Sequence, residues 1–442
     1  MIQPAEPQPT SDASSPGPVT AALLLDGMSA AELDRARAVE SVLPALRAAA
    51  ETADRDGAFH MPHIATLSAA GLLGLVVPPA FGGMGGGLRD LAAATFAMGT
   101  ACPSTALAYF FHCSTASRGL LALEALEAGL FDAAEAPVVR AFAEKLLGLM
   151  GRDGRWLANF ASESAKSSSS AVTIGTQAAQ TEGGWLLNGV KSFGASSGVA
   201  DAYLVTAMLE GYSTAEGLGL FLVAREAEGV ALRQAWDAIG MRATANNGIT
   251  LTDVFVSAED ALAVPGSFAK MVQMSRGTFV GNQVAGTAIY VGAAQSVYDF
   301  ALHFLRNTKF EDTGKSIAQS DFHQVLIGNM AMELESAYLW LRRQIELESS
   351  SPPIRPKHEV VRQWRLAKGS ATDHAFNVGV LALKACGTSN TRNGGVIARG
   401  LRDLSLGLVQ AFPAERGRLM AAELIVSDTP RADFGGTPAK GT

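Results

Sequence analysis

Apolar residues early in the chain recur at three- and four-residue steps. Leu33, Val39, Val42, Leu43 and Leu46 fall on one side of a 3.6-residue period, and Ala, Leu and Glu dominate from about 29 to 147. The spacing predicts helices. One break interrupts them, Gly71-Leu-Leu-Gly74-Leu-Val-Val-Pro78 followed by Phe81-Gly82-Gly83-Met-Gly85, whose glycines suit a tight interhelical loop. From Trp156 to about Val264 the texture changes to short apolar runs between turn residues: Trp185-Leu-Leu, Ala202-Tyr-Leu-Val, Gly219-Leu-Phe-Leu-Val and Ile249-Thr-Leu-Thr-Asp-Val. These read as strands, with Gly183-Gly184 and Asn188-Gly189 as turns. No helical spacer separates them, so a small antiparallel barrel or sandwich is expected. After Pro265 the helical period returns, with Leu326, Met330, Leu334, Ala337, Leu341 and Ile345 on one stripe. Ser349 to Pro356 stops that helix, and a second long one runs from about Glu359 to Ala385.

The expected architecture is mainly α with a central β domain. It comprises a disordered tail (1–28), an N-terminal helical domain (29–155), a middle β-barrel (156–265), a C-terminal four-helix bundle (266–430) and a flexible tail (431–442). At 442 residues, 48% hydrophobic and 17% charged, the chain can bury a large core and still expose apolar faces to a second copy. Net charge is -7 and the basic residues are scattered, which argues against nucleic acid. Cys102, Cys113 and Cys386 lack metal-ligand spacing and read as buried thiols, so no metal is expected. The Pro- and Ser-rich first twenty residues do not resemble a secretory signal, and no long uncharged apolar run suggests a membrane span. The expected compartment is the cytoplasm.

Several motifs follow one another in a known order. They are the Gly71 to Gly85 segment; Asn159-Phe160-Ala161-Ser162-Glu163-Ser164; Asn188-Gly189-Val-Lys191-Ser-Phe193-Gly-Ala195-Ser196-Ser197; Gly240-Met-Arg242 leading to Val256-Ser-Ala-Glu259; Arg306 before Lys309-Phe310; Gly387; and Arg402-Asp403 followed by Ala411 and Arg418-Leu. In this order the chain resembles the acyl-CoA dehydrogenase superfamily, including its flavin-dependent monooxygenase branch. The resemblance implies FAD, with FMN or reduced flavin from a reductase as the alternative. It places Phe160, Ser162, Phe193, Ala195, Ser196, Arg306, Gly387 and Glu415 among the cofactor-binding residues. Phe193 would wall the flavin ring, and Arg306 would reach FAD pyrophosphate across a subunit contact. Ala195 stands where many relatives offer a hydroxyl, a role left to Ser196 or Ser197. A homodimer or homotetramer is implied.

The departure from the family lies at its catalytic base. Ala411 occupies the usual glutamate position, and Asn282 or Gln283 aligns with the other position used by relatives. None can take an α-proton, and Glu415 is a displaced substitute. Three readings stay open. The protein oxidises an acyl-CoA or acyl-carrier thioester and passes electrons to an electron-transfer flavoprotein; or it oxygenates another small organic substrate with reduced flavin and a flavin reductase; or it binds flavin or thioester without turnover.

Overall fold

The computed structural model describes residues 19–165, 170–277, 283–427 and 432–436. The N-terminal part consists of α1 (Ala30–Asp56), α2 (Pro62–Ala69), α3 (Leu88–Ala101), α4 (Pro103–Glu127) and α5 (Glu135–Gly151). Ser29 and Glu32 form a capping box that fixes the start of α1, and Gly57 ends it in a left-handed turn. Helix α4 differs from its neighbours because nearly every position from Ser104 to Gly119 is buried. A helix apolar on all sides belongs in the core. The glycine-rich break is the tight loop its composition implies: a Cβ on Gly83 would lie 2.0 Å from the Val77 carbonyl oxygen.

The middle part is a curled sheet of β1 (Leu157–Phe160), β3 (Gln177–Thr181), β4 (Gly184–Lys191), β5 (Ala202–Leu209), β6 (Leu218–Ala224), β7 (Val230–Leu232), β8 (Ile249–Ser257) and β9 (Ala261–Leu262), while β2 (Ser170–Ile174) pairs elsewhere. Its strand order is β7-β8-β4-β3-β5-β6-β9, with β1 also on β5. Most pairs are antiparallel as expected, but β1 and β3 both run parallel to β5. Glu182-Gly183 makes the β3–β4 hairpin turn. Asn188-Gly189, expected as another turn, instead lies inside β4 at a register shift against β8. There the Asn188 amide donates to Asp253 and accepts from its backbone N–H, so the turn-forming side chain is used to bridge strands.

The C-terminal part contains α6 (Ser267–Met274), α7 (Gln283–Asn307), α8 (Asp321–Ser349), α9 (Lys357–Cys386), α10 (Val396–Gly407) and α11 (Ala414–Val426). The α8 stripe from Leu326 to Ile345 is buried as its period requires. Cys102, Cys113 and Cys386 are buried free thiols. Both expected tails need correction where they are described. Val19, Ala21, Leu24 and Leu25 pack into the core, and Arg342 donates to the Leu23 and Leu24 carbonyls, so order begins before residue 28. At the other end β10 (Ala432–Gly436) adds in parallel to β2, since extended backbone next to an unpaired strand gains a hydrogen-bond ladder. Residues 1–18 and 437–442 lie outside the described residues.

The N-terminal helices join the bundle through the contact of α3 with α7. A Cβ on Gly99 would lie 2.5 Å from the Ile289 carbonyl oxygen, and one on Gly292 would lie 2.1 Å from that of Phe96. Thr95 Oγ1 closes the seam by donating to the Ala285 carbonyl at 2.7 Å. Gly292→Ala should therefore destabilise the protein by about 1–3 kcal/mol despite alanine's better helix propensity. Gly328, exposed on α8 with nothing near its missing Cβ, provides the opposite case: Gly328→Ala should stabilise by about 0.5–1 kcal/mol. Denaturant titration of the two variants checks both signs.

Candidate active site

A cavity of about 430 Å³ opens where α4, the end of β1, the segment after β4, the first half of α7, α9 and the α10–α11 connection meet. Leu107, Phe110, Phe111, Ser114 and Arg118 form its α4 wall, at steps of three and four residues along one helix face. Asn159, Ala161 and Ser162 reach it from β1, and Phe193, Gly194 and Ala195 from beyond β4. Phe193 is half exposed and lies edge-to-face with Trp236, their centroids 6.1 Å apart. A half-exposed ring beside a partly buried one makes a wall suited to a planar ligand.

Buried polar contacts hold these segments in place. Glu163 accepts from the Gly175 and Thr176 backbone N–H groups, from Thr176 Oγ1, and from Lys191 Nζ at 2.6 Å. Lys191 is fully buried and also donates to the Thr206 carbonyl. The acid of the Ser162-Glu163 pair thus fixes the loop to the sheet, leaving Ser162 at the cavity. On the opposite wall Lys368 Nζ donates to the carbonyls of Gly407 and Phe412, at 2.6 and 2.7 Å. Burial lowers its pKa to about 8. This ammonium pins both ends of the turn that carries Ala411, whose φ of +62° is left-handed.

The sequence-predicted residues divide into three groups. Ser162, Phe193 and Ala195 line the cavity together with Gln283 and Ala411; Asn282 lies outside the described residues. Phe160 and Ser196 are buried just behind it. The Phe160 ring occupies the space where a Gly194 Cβ would sit, and Ser196 Oγ accepts from Trp156 Nε1 at 3.0 Å. Ser197 Oγ is likewise engaged, donating to the Gly194 carbonyl and accepting from the Gly248 N–H. Glu415 points outward on α11, exposed and 3.8 Å from Arg418, while its neighbour Arg416 reaches the cavity. Arg306 and Gly387 are exposed at the C-terminal ends of α7 and α9. From Tyr290 to Arg306 the helix runs about 24 Å, and from Lys368 to Cys386 about 27 Å, so neither reaches its own chain's cavity.

Four cations outside the predicted set join these residues. Arg118, Arg365, Lys368 and Arg416 all line the cavity, and among its described lining residues there is no carboxylate and no histidine. A signal existed for Arg118, the only Lys or Arg in the long apolar α4. Nothing in the α9 pattern distinguished Arg365 and Lys368 from surface positions of an amphipathic helix.

Three family profiles match the chain in order: the acyl-CoA dehydrogenase N-terminal domain over residues 32–125, the middle domain over 158–254 and the C-terminal domain over 285–412. The chain is 30% identical over 292 residues to the amino sugar nitrososynthase RubN8 of Streptomyces rubradiris, covering 66% of this chain and 64% of that protein. It is 27% identical over 338 residues to the cyclohex-1-ene-1-carbonyl-CoA dehydrogenase of Geobacter metallireducens, covering 76% and 82%. Against a Bacillus subtilis homologue the matched region spans 58% of the relative's length. The solved structure of KijD3 in complex with FMN and a dTDP-amino sugar superposes with a TM-score of 0.77 at 23% identity, covering 94% of this chain and 98% of that one.

Helix α4 is tied to β1 by a neutral imidazole. His112 Nδ1 accepts from the Leu157 N–H at 3.0 Å, Nε2 donates to the Leu73 carbonyl at 2.8 Å, and the ring stacks on Trp156 at 4.7 Å. Burial holds its pKa down at about 4, against an ordinary 6.5. Protonating Nδ1 would remove the acceptor for Leu157. A depressed histidine pKa gives stability that is present above 6.5 and is lost as pH falls towards 4. That loss should reach roughly 3 kcal/mol below the folded-state value. Unfolding measured from pH 7 to 4 should show this acid limb, and His112→Asn should reduce it, leaving the part due to His63, which burial also holds down at about 4.

Proposed function

Because the chain belongs to the acyl-CoA dehydrogenase superfamily, we propose that its cavity holds a flavin, FAD or FMN, and that the protein is a flavin-dependent monooxygenase acting on a small organic substrate. The single observation that carries the choice of reaction is the acid-free lining. Ala411 and Gln283 face the cavity where relatives place a carboxylate, Glu415 points away, and no other described lining residue is acidic. Abstraction of an α-proton from a thioester therefore has no acceptor, and losing a positioned base removes a factor of about 10²–10⁴ in rate.

The residues present fit a flavin. Phe193 and Trp236 supply an aromatic wall, Ser162 and the backbone around Ala195 offer polar contacts at its rim, and the surrounding cations suit an electron-rich or phosphorylated group. When bound and reduced, the flavin supplies the two electrons with which molecular oxygen is activated. The chain's own part is to hold and enclose. Lys368 fixes the α10–α11 turn over the site, while Phe110, Phe111 and Phe412 give it apolar walls that restrict water. Arg306 and Gly387, at the distal end of the bundle, would serve the cofactor of a second copy in a homodimer or homotetramer. Electrons would come from a separate flavin reductase.

Two measurements test the reaction. Flavin-loaded protein mixed anaerobically with butyryl-CoA should keep its visible absorbance. Ala411→Glu should keep it too, because the cavity is built for another substrate. Bleaching of the unaltered protein by the thioester would overturn the monooxygenase reading. Bleaching only after the substitution would show a thioester-shaped cavity and overturn the substrate class.

A further inference from the structure

Arg118 lines the cavity with no ion pair or hydrogen bond to any described residue. Its residue is 4% exposed, and neither Nε nor Nη1 has a hydrogen-bond partner. Its one described contact is with the Phe268 ring, 5.9 Å from the guanidinium carbon. Burial pulls its pKa down to about 9 with no carboxylate acting against it. The other cations are engaged: Lys368 donates to two carbonyls, Arg365 lies over Phe412 and has further contacts although its Nε is unmet, and Arg416, on α11, has a contact of its own.

A buried guanidinium with unmet donors costs free energy and persists where a ligand meets them. Arg118 lies a full turn beyond Ser114 on the α4 wall, whose preceding members Leu107, Phe110 and Phe111 are apolar. Ser114 is itself engaged, accepting from Asn159 Nδ2 at 3.3 Å and donating to the Phe111 carbonyl. The wall therefore runs from an apolar surface to one isolated positive charge, in a chain whose net charge is -7.

We propose that Arg118 is a specificity-determining residue that binds an anionic oxygen group of the substrate, a carboxylate at the end of an apolar or aromatic body. The apolar part lies along Phe110 and Phe111, and the guanidinium donates charge-assisted hydrogen bonds to the carboxylate. This rests on reading the cavity as the substrate site, and it names the substrate class for that site.

The experiment uses the flavin-loaded protein and two probes of one shape, benzoate and benzamide, followed by titration calorimetry. Benzoate should bind about tenfold more tightly than benzamide, as expected for a charged rather than neutral hydrogen-bond partner. Arg118→Met should bind the two alike while retaining flavin, and Arg118→Lys should keep part of the preference. Arg118→Met should also raise the melting temperature of ligand-free protein, because it removes an unpaired buried charge; a merely structural arginine would lower it. Unaltered protein that binds both probes alike, or neither, overturns the proposal without any variant. So does an Arg118→Met protein that keeps the benzoate preference, or one that loses flavin, which would assign the guanidinium to the cofactor. Flavin content, read from visible absorbance, separates this from the function above. Colourless protein that still prefers benzoate defeats only the cofactor reading, and yellow protein without the preference defeats only the role of Arg118.

Discussion

The near-complete burial of α4 from Ser104 to Gly119 is the constraint on which the rest of the structure depends. A helix enclosed on all sides leaves its polar side chains no water, so each must find a partner in the protein or wait for one. Tyr109 donates to the Leu72 carbonyl and His112 joins Leu73 to Leu157, which fixes the glycine loop and the first strand against the same helix. Ser114 takes Asn159. Ser114 and Arg118 both line the cavity, and of the two only Arg118 lacks such a group among the described residues. Scaffold and recognition surface are thus successive turns of one helix.

A second constraint acts from the bundle. The backbones of α3 and α7 approach too closely for a Cβ at Gly99 or Gly292, which holds the first half of α7 beside α4. Gly286 and Tyr290 are thereby set into the cavity wall. On the remaining side two lysines perform parallel tasks. Lys191 is spent on Glu163 and the sheet, and Lys368 on the carbonyls of the α10–α11 turn. Both are buried charges that position backbone, the attested use for groups whose desolvation is not repaid by stability alone.

Much of the fold was legible because it follows from local periodicity. The α8 stripe is buried throughout, the short apolar runs are strands, and the Gly71 to Gly85 segment is a close backbone approach. The structure departs from local preference where a partner distant in sequence outweighs it. Asn188-Gly189 is bulged strand because Asp253 receives the side chain that would have closed a turn. Val19 to Leu25 is ordered because Arg342 and the apolar core take up a segment whose composition alone suggested disorder. The site was legible to a similar degree. Ser162, Phe193, Ala195, Gln283 and Ala411 share one cavity, whereas Phe160 and Ser196 stand one layer behind and Glu415 faces solvent.

By itself the sequence determined the order of helices, sheet and helices, and the presence of an alanine at position 411, because periodicity and residue identity are local properties. Only the tertiary structure decided that the described lining of the cavity holds no carboxylate. It also decided which hydroxyls are already spent, and that Arg118, Arg365, Lys368 and Arg416 meet at one cavity. The physical reason is that charge balance and hydrogen-bond satisfaction belong to a volume. Segments separated by hundreds of residues fill that volume together, and no window along the chain contains it.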